Sequence, residues 1–252
     1  MNKSAADIYR VLVAEARAAA KVKRVVLGLG WSFAEVEGYG LCWSPQDVPR
    51  TFRWPGTLRG RAAADLASWI LSSDPCEATV GACVVNAVVN EAFGGFAAQG
   101  KLLTCDEAPH LAVFSHFRAR VRGARVVVVG RYPGLERLWE PASYTCVERR
   151  PAPGTLSETE ARPSLARADW VFITASSISN HSLPALLSCC PRAEVVLMGP
   201  SLPWLPHWAD FGIKHLAGVV VSDPQALVDV VSEGGGTRLF HEAVQYRLMS
   251  FD

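Results

Sequence analysis

The sequence predicts an α/β protein: a parallel-sheet domain in the second half, preceded by a smaller α+β domain. Three observations carry this. From Ala124 onward five short apolar runs recur, ARVVVVG, SYTCVE, DWVFIT, AEVVLMG and KHLAGVVVSD. Stretches of helical length, notably Leu183 to Cys189 and Pro224 to Ser232, lie between them. Continuous apolar strands alternating with helices are what a buried parallel sheet requires, so this half reads as Rossmann-like. Before it the pattern differs. RVVLGLGWS, FAEVEG and YGLCWS are β-rich runs broken by glycine and polar residues, which suggests a small antiparallel meander, and helices follow rather than alternate with it.

Ser4 followed by Asp7 resembles a helix N-terminus of the capping-box kind, and Ile8, Val11, Leu12 and the alanines beyond carry helical spacing to about Lys21. After the meander, Pro45, Pro49, Pro55, Gly56 and Gly60 make residues 45–60 an irregular surface excursion that could cover a site. Arg61 to Leu71 places Ala62, Leu66, Trp69 and Ile70 on one helical face. Val80 to Phe93 is apolar on nearly every side and must be buried. The basic segment Arg118, Arg120, Arg122 reads as a solvated face leading into the first strand of the second half. The expected domains are therefore residues 1–121 and 122–252.

Composition narrows the function classes. Half of the 252 residues are apolar and 19% are charged, which excludes a disordered scaffold, and a net charge of +1 gives no general attraction to nucleic acid or anionic lipid. MNKSAADIYR lacks the apolar stretch of a secretory signal, and the most apolar window, Thr79 to Ala98, is broken by Asn86, Asn90, Glu91 and glycines. A cytoplasmic protein without a membrane span is expected. The seven cysteines, Cys42, Cys76, Cys83, Cys105, Cys146, Cys189 and Cys190, contain no two-residue spacer, so neither a disulfide framework nor a zinc ribbon is indicated. The vicinal Cys189 and Cys190 could take a soft metal or be small buried residues. His110 and His116 match no familiar zinc spacing.

In an open parallel sheet ligands sit at the strand carboxyl ends, so the residues after each strand are the informative ones. They are Gly130, Arg131, Tyr132, Pro133 and Gly134; Glu148, Arg149, Arg150 and Pro151; Thr174 through Ser182; and Gly199 through Pro203, where Ser201 can cap a helix. The candidate ligand-binding residues on this edge are Arg131, Tyr132, Glu148, Thr174, Ser176, Ser177, Asn180, His181 and Ser201. Asn86 and Asn90 join them, because buried amides on an apolar helix need partners, a ligand among the possibilities. His181 could bind a metal, act as a general base or hydrogen-bond within its loop. Glu148 ends the second strand, where an acidic residue would hold a ribose. Yet GRYPG lacks the G-x-G-x-x-G pattern and Tyr132 and Pro133 would crowd a pyrophosphate, which disfavours ordinary NAD binding. The GLG at residues 28–30 reads as a strand bend.

V-V-G-R-Y-P at Val128 to Pro133, V-E-R-R-P at Val147 to Pro151, F-I-T-A-S-S-I-S-N-H-S at Phe172 to Ser182, M-G-P-S-L-P at Met198 to Pro203 and the GGG at residues 234–236 together resemble the "putative heavy-metal chelation" domain family. The first half, through G-L-G-W-S at Gly28, G-Y-G-L at Gly38 and N-A-V-V-N at Asn86, is similar to its partner domain, which is like the N-terminal domain of enolase. Arg131 and Tyr132 stand where the family more often has His and Phe. The resemblance implies a site between the two domains that takes a transition metal or a metal-bearing heterocycle, with His181 the candidate metal ligand. It leaves open whether any reaction is catalysed. A nucleotide-like or S-adenosylmethionine-type cofactor at the strand ends, in an enzyme, is the alternative. A small-molecule or metal ligand is the expected partner, with a homodimer or a larger metalloenzyme system as further possibilities.

Overall fold

The computed structural model describes residues 4–251 apart from 47, 50, 106, 107 and 151. The chain opens with a 3-10 turn whose N-cap, Ser4, accepts from the Ala6 amide, and continues as α1, Ile8–Glu15. This helix stops short of the expected Lys21. Residues 20–22 instead pair with residues 60–63: Val22 N donates to Arg61 O at 2.9 Å and Ala63 N to Ala20 O at 2.9 Å. That pairing takes the backbone groups a longer helix would have used.

The meander is present as β1 (Arg24–Leu27), β2 (Trp31–Glu35) and β3 (Tyr39–Trp43), all antiparallel. Residues 45–60 contain no regular element among those described. Next come α2 (Ala63–Ala67), which runs into a 3-10 turn over Ser68–Leu71, and the long α3 (Pro75–Ala92). Asp74 caps α3 by accepting from Cys76 N and Glu77 N, and Pro75 occupies the first helical turn, where its missing N–H costs nothing. Glycines let other elements lie directly on this helix. A Cβ on Gly40 of β3 would sit 2.1 Å from both Ala87 N and Cys83 O, and one on Gly81 would sit 2.0 Å from Ile70 N.

The five apolar runs of the second half are strands of one parallel ribbon: β5 (Val126–Val129), β6 (Tyr144–Val147), β7 (Trp170–Thr174), β8 (Glu194–Met198) and β9 (His215–Val221). Two further strands extend it to seven, antiparallel to their neighbours: β10 (Val244–Ser250) beside β9, and β4 (Lys101–Leu103) beside β10. The order is β4-β10-β9-β8-β7-β5-β6. Short helices connect the strands: α4 (Gly94–Gln99), α5 (Ala112–Phe117), α6 (Leu135–Leu138), α7 (Arg162–Arg167), α8 (Ser176–Ser179), α9 (Leu183–Cys189), α10 (Pro224–Ser232) and α11 (Leu239–Glu242). None of the helices described is long and apolar enough to cross a membrane.

Alternate residues of each strand enter opposite cores. Val127, Val171, Ile173, Val195 and Leu197 join α1, α3 and α9 on one face. Val128, Phe172, Val196 and Met198 join Phe114 and Phe117 of α5 on the other, together with Trp31, Phe33 and Leu41 of the meander. The meander and α3 are therefore part of the same packed interior as the large sheet.

Since a side chain at residue 40 would collide with helix backbone rather than a flexible group, Gly40→Ala should cost about 3 kcal/mol or more, the upper range for overpacking. Denaturant unfolding checks this. A loss below 1 kcal/mol would show that β3 and α3 can separate freely.

Candidate functional site

The parallel strand order reverses at β5, which pairs with β6 on one side and β7 on the other. Connections leave the sheet in opposite directions here, so a crevice opens at the carboxyl ends. Gly130 (φ +104°) and Gly199 (φ +112°) turn the chain sharply as β5 and β8 end, a backbone region that side chains rarely tolerate. Above them lies a cavity of about 640 Å³.

The floor of the cavity comes from the strand ends. Arg131 and Tyr132 follow β5, Glu148 follows β6, Thr174, Ser176, Ser177 and Asn180 follow β7, and Ser201 follows β8. The facing wall comes from elsewhere: Trp31, Trp43 and Gln46 from the meander and its exit, and Gly236, Thr237 and Phe240 from the segment before β10. The aromatic groups brace one another. Trp31 meets Trp43 edge-on at 4.9 Å and Phe240 at 6.1 Å, and Phe240 stacks on Tyr246 at 5.4 Å. Trp31 Nε1 also donates to Gly236 O at 3.2 Å. The GLG turn at 28–30 sits against the end of α10: a Cβ on Gly28 would lie 2.5 Å from Val231 O and one on Gly30 3.2 Å from Gly235 O. Its role is close packing.

Three of the expected site residues lie outside the cavity lining. Asn86 is 1% exposed and donates from Nδ2 to Leu41 O (2.6 Å) and to Ser201 O (3.0 Å). Asn90 accepts the Trp204 amide at 2.9 Å. His181 takes a left-handed conformation (φ +63°) that carries its imidazole away from the strand ends, to within 2.7 Å of Ile70 O and edge-on to Tyr9. All three connect the first half of the chain to the loops of the large sheet. Among the described residues, no group of three or more His, Cys, Asp or Glu side chains could hold a metal ion. The vicinal Cys190 is buried with Sγ 3.2 Å from Leu186 O, and burial pushes its thiol up to about 12. Pro151, the last residue of the V-E-R-R-P motif, is outside the described residues.

Sequence reasoning missed the aromatic wall. Trp31, Trp43 and Phe240 lie far from the strand-end loops along the chain, and only the GGG at 234–236 hinted that this segment approaches anything closely. His110 and Glu158 also line the cavity.

The chemistry of the floor is polar and incompletely paired. Thr174 and Ser176 share a hydrogen bond of 3.1 Å, and Asn180 Oδ1 accepts the Ser182 amide. Tyr132, Ser177 and Ser182 also line the cavity; the buried hydroxyls of Ser177 and Ser182 have no partner among the described residues, while the Tyr132 hydroxyl lies by Thr174. Leaving such groups unpaired costs about 1–3 kcal/mol each. Burial raises the Tyr132 phenol above its usual range, opposed by a hydrogen bond with Thr174 and reinforced by nearby Glu148. Burial likewise raises the Glu148 carboxyl, opposed by backbone hydrogen bonds from Arg131 and Arg149 and by the Arg131 guanidinium. The arrangement can take a ligand with a flat apolar part against the aromatic wall and hydrogen-bonding groups toward the floor.

Comparison with known proteins agrees with this architecture. The model of the DUF364 family, described as "Putative heavy-metal chelation", matches residues 112–250, and that of DUF4213, with the same description, matches residues 9–89. A protein of unknown function from the DUF364 family of Desulfitobacterium hafniense DCB-2 is 24% identical, with 98% of each chain covered and a TM-score of 0.83. Another from Pyrococcus horikoshii is 18% identical, covering 98% of this chain and 99% of its own, with a TM-score of 0.77. No curated protein matches the chain.

Because burial raises the Glu148 carboxyl, its ionised form is the disfavoured one in the folded state. Stability is therefore lost as pH rises through the folded value, and is fully present below the unfolded value. Glu148→Gln should raise the melting temperature at pH 7, with the gain disappearing below the ordinary carboxylate range. Thermal melts at pH 7 and pH 4 check this. A loss at pH 7 would mean that the carboxylate is stabilised where it stands.

Proposed function

Given that the chain belongs to the DUF364 family, described as "Putative heavy-metal chelation", we propose that it binds a metal-bearing heterocycle in the cavity between the meander and the strand ends. The observation that carries this reading is the composition of that cavity. Trp31, Trp43 and Phe240 form an apolar wall suited to a planar ring, and the opposite floor carries hydroxyls without protein partners. The donor set does not suit a bare ion. His110, Glu148 and Glu158 are among the lining residues, but no group of three metal-ligating side chains converges among the described residues. A heterocycle that supplies its own donor atoms would remove that requirement. Arg131 and Arg149 at the rim would pair with carboxylates on its periphery, and the floor hydroxyls would satisfy its remaining polar atoms.

One observation favours a second reading. Glu148 directly follows the last residue of β6, where a ribose-binding carboxylate stands in nucleotide enzymes, which suits an S-adenosylmethionine-type or nucleotide-like cofactor. The two readings differ in ligand and in the residue that matters most.

Thermal shift with Co(II) and Ni(II) salts, cobalt and iron tetrapyrroles, S-adenosylmethionine and NAD separates them. A metallated tetrapyrrole at a hundred times its Kd should add about 2.7 kcal/mol, a rise of about 5–10 °C for a chain of this size. Trp43→Ala, which removes a partly exposed wall residue, should weaken binding about tenfold. Equal stabilisation by the bare ions, or stabilisation by S-adenosylmethionine that Glu148→Ala abolishes, would overturn the heterocycle reading.

A further inference from the structure

The outer edge of β1 borders the irregular segment that follows the meander. Val22 N donates to Arg61 O at 2.9 Å and Gly60 N to Val22 O at 2.7 Å, while Lys23 N turns the other way, to Glu35 O of β2. Neighbouring residues of a strand point their amides to opposite sides, so residues 60–63 lie on the side of the chain away from β2. Past this pairing the two chains part. β1 continues with β2 as its one strand partner among the described residues, and residues 52–59 leave it. Trp54 O accepts from Thr57 N at 3.1 Å across Pro55 and Gly56 (φ +78°), a turn that Pro followed by Gly favours. Between β1 and this segment is a groove of about 870 Å³.

One wall of the groove is β1 with its open edge, through Lys23, Val25 and Leu27, and the other is the segment, through Phe52, Trp54 and Arg59. A strand edge without a partner presents a row of backbone donors and acceptors. Phe52 and Trp54 stack at 4.7 Å with their planes 14° apart, forming an apolar face. Among the described residues Glu35 is the sole acidic one in the lining, and Arg24 pairs with it at 2.8 Å. Lys23 and Arg59 are exposed, and neither takes part in an ion pair among the described residues. They flank the closed end of the groove, next to the bonded Val22 and Gly60. In a chain of net charge +1 this is a local excess of positive charge.

We propose that this groove docks an extended acidic segment of a partner protein, which adds to the edge of β1 as a strand. Backbone hydrogen bonds to β1 hold the segment, an Asp or Glu side chain meets Lys23 and Arg59, and an apolar side chain further along covers Trp54. β1 has four residues, so the paired stretch is short, about 13 Å. The charges then supply the selectivity. The groove shares no lining residue with the strand-end cavity, so the proposal stands apart from the heterocycle reading.

Titration and hydrogen exchange of the full chain with the peptide acetyl-Glu-Val-Asp-Val-Glu-Leu-amide test this. The expected result is saturable binding with slowed exchange at amides of residues 23–27. Like charges brought face to face oppose association, so Lys23→Glu combined with Arg59→Glu should weaken binding about tenfold or more. Arg118→Glu, an exposed change in the basic segment before β5, should leave it unchanged. The peptide with lysine at every acidic position should not bind. No saturable binding at millimolar acidic peptide, slowed exchange confined to residues outside 23–27, equal loss in Arg118→Glu, or tighter binding of oligouridylate RNA than of the acidic peptide would each overturn the proposal. The wild-type exchange data decide the matter even if the double variant does not fold.

Discussion

The side-chain amide of Asn86 sits in the middle of α3, and both of its acceptors lie on other elements, Leu41 on β3 and Ser201 beyond the end of β8. Where water cannot reach, an amide must find partners within the protein, and a carbonyl that loses its donor is left at a cost of about 1–3 kcal/mol. Asn86 thereby holds a strand-end loop of the large sheet against the meander. The same loop reciprocates, with Ser201 Oγ accepting the Trp43 amide at 2.9 Å. Trp43 is a wall of the cavity and Ser201 part of its floor, so the spacing of wall and floor follows from this one set of contacts.

The neighbouring links act in the same direction. Asn90, one turn further along α3, accepts the Trp204 amide, and His181 and Tyr9 join the β7 loop to the helical part of the first half through Ile70 O and Ile178 O. Each of these polar groups is a tether between regions distant in sequence. The glycine contacts at residues 28, 40 and 81 bring backbones close enough for the tethers to span. What results is a crevice at the switch point of a parallel sheet, closed on its open side by aromatic residues of a meander.

Much of the fold was legible because five apolar runs could only be buried strands, and α9 and α10 were read with their observed bounds. β10 was not, since VQYRLMS alternates buried and exposed residues and sits beyond the regular strand–helix pattern, and β4 has only three residues. The floor of the cavity was legible as polar residues following apolar strands. Its wall was not, because Trp31, Trp43 and Phe240 reach the floor only through tertiary packing. Asn86, Asn90 and His181 were recognised as polar groups needing explanation, but their partners turned out to be backbone groups. No local signal distinguishes an amide that awaits a ligand from one that meets a carbonyl more than a hundred residues away.

The dependence of the site on Asn86 is open to direct measurement by hydrogen exchange on the wild-type protein and Asn86→Leu, a substitution of similar size that removes both donors. Faster exchange at the Trp43 amide and across residues 199–205, with β5 and β7 still protected, is the result this account predicts. Unchanged protection of the Trp43 amide in a folded Asn86→Leu protein would contradict it.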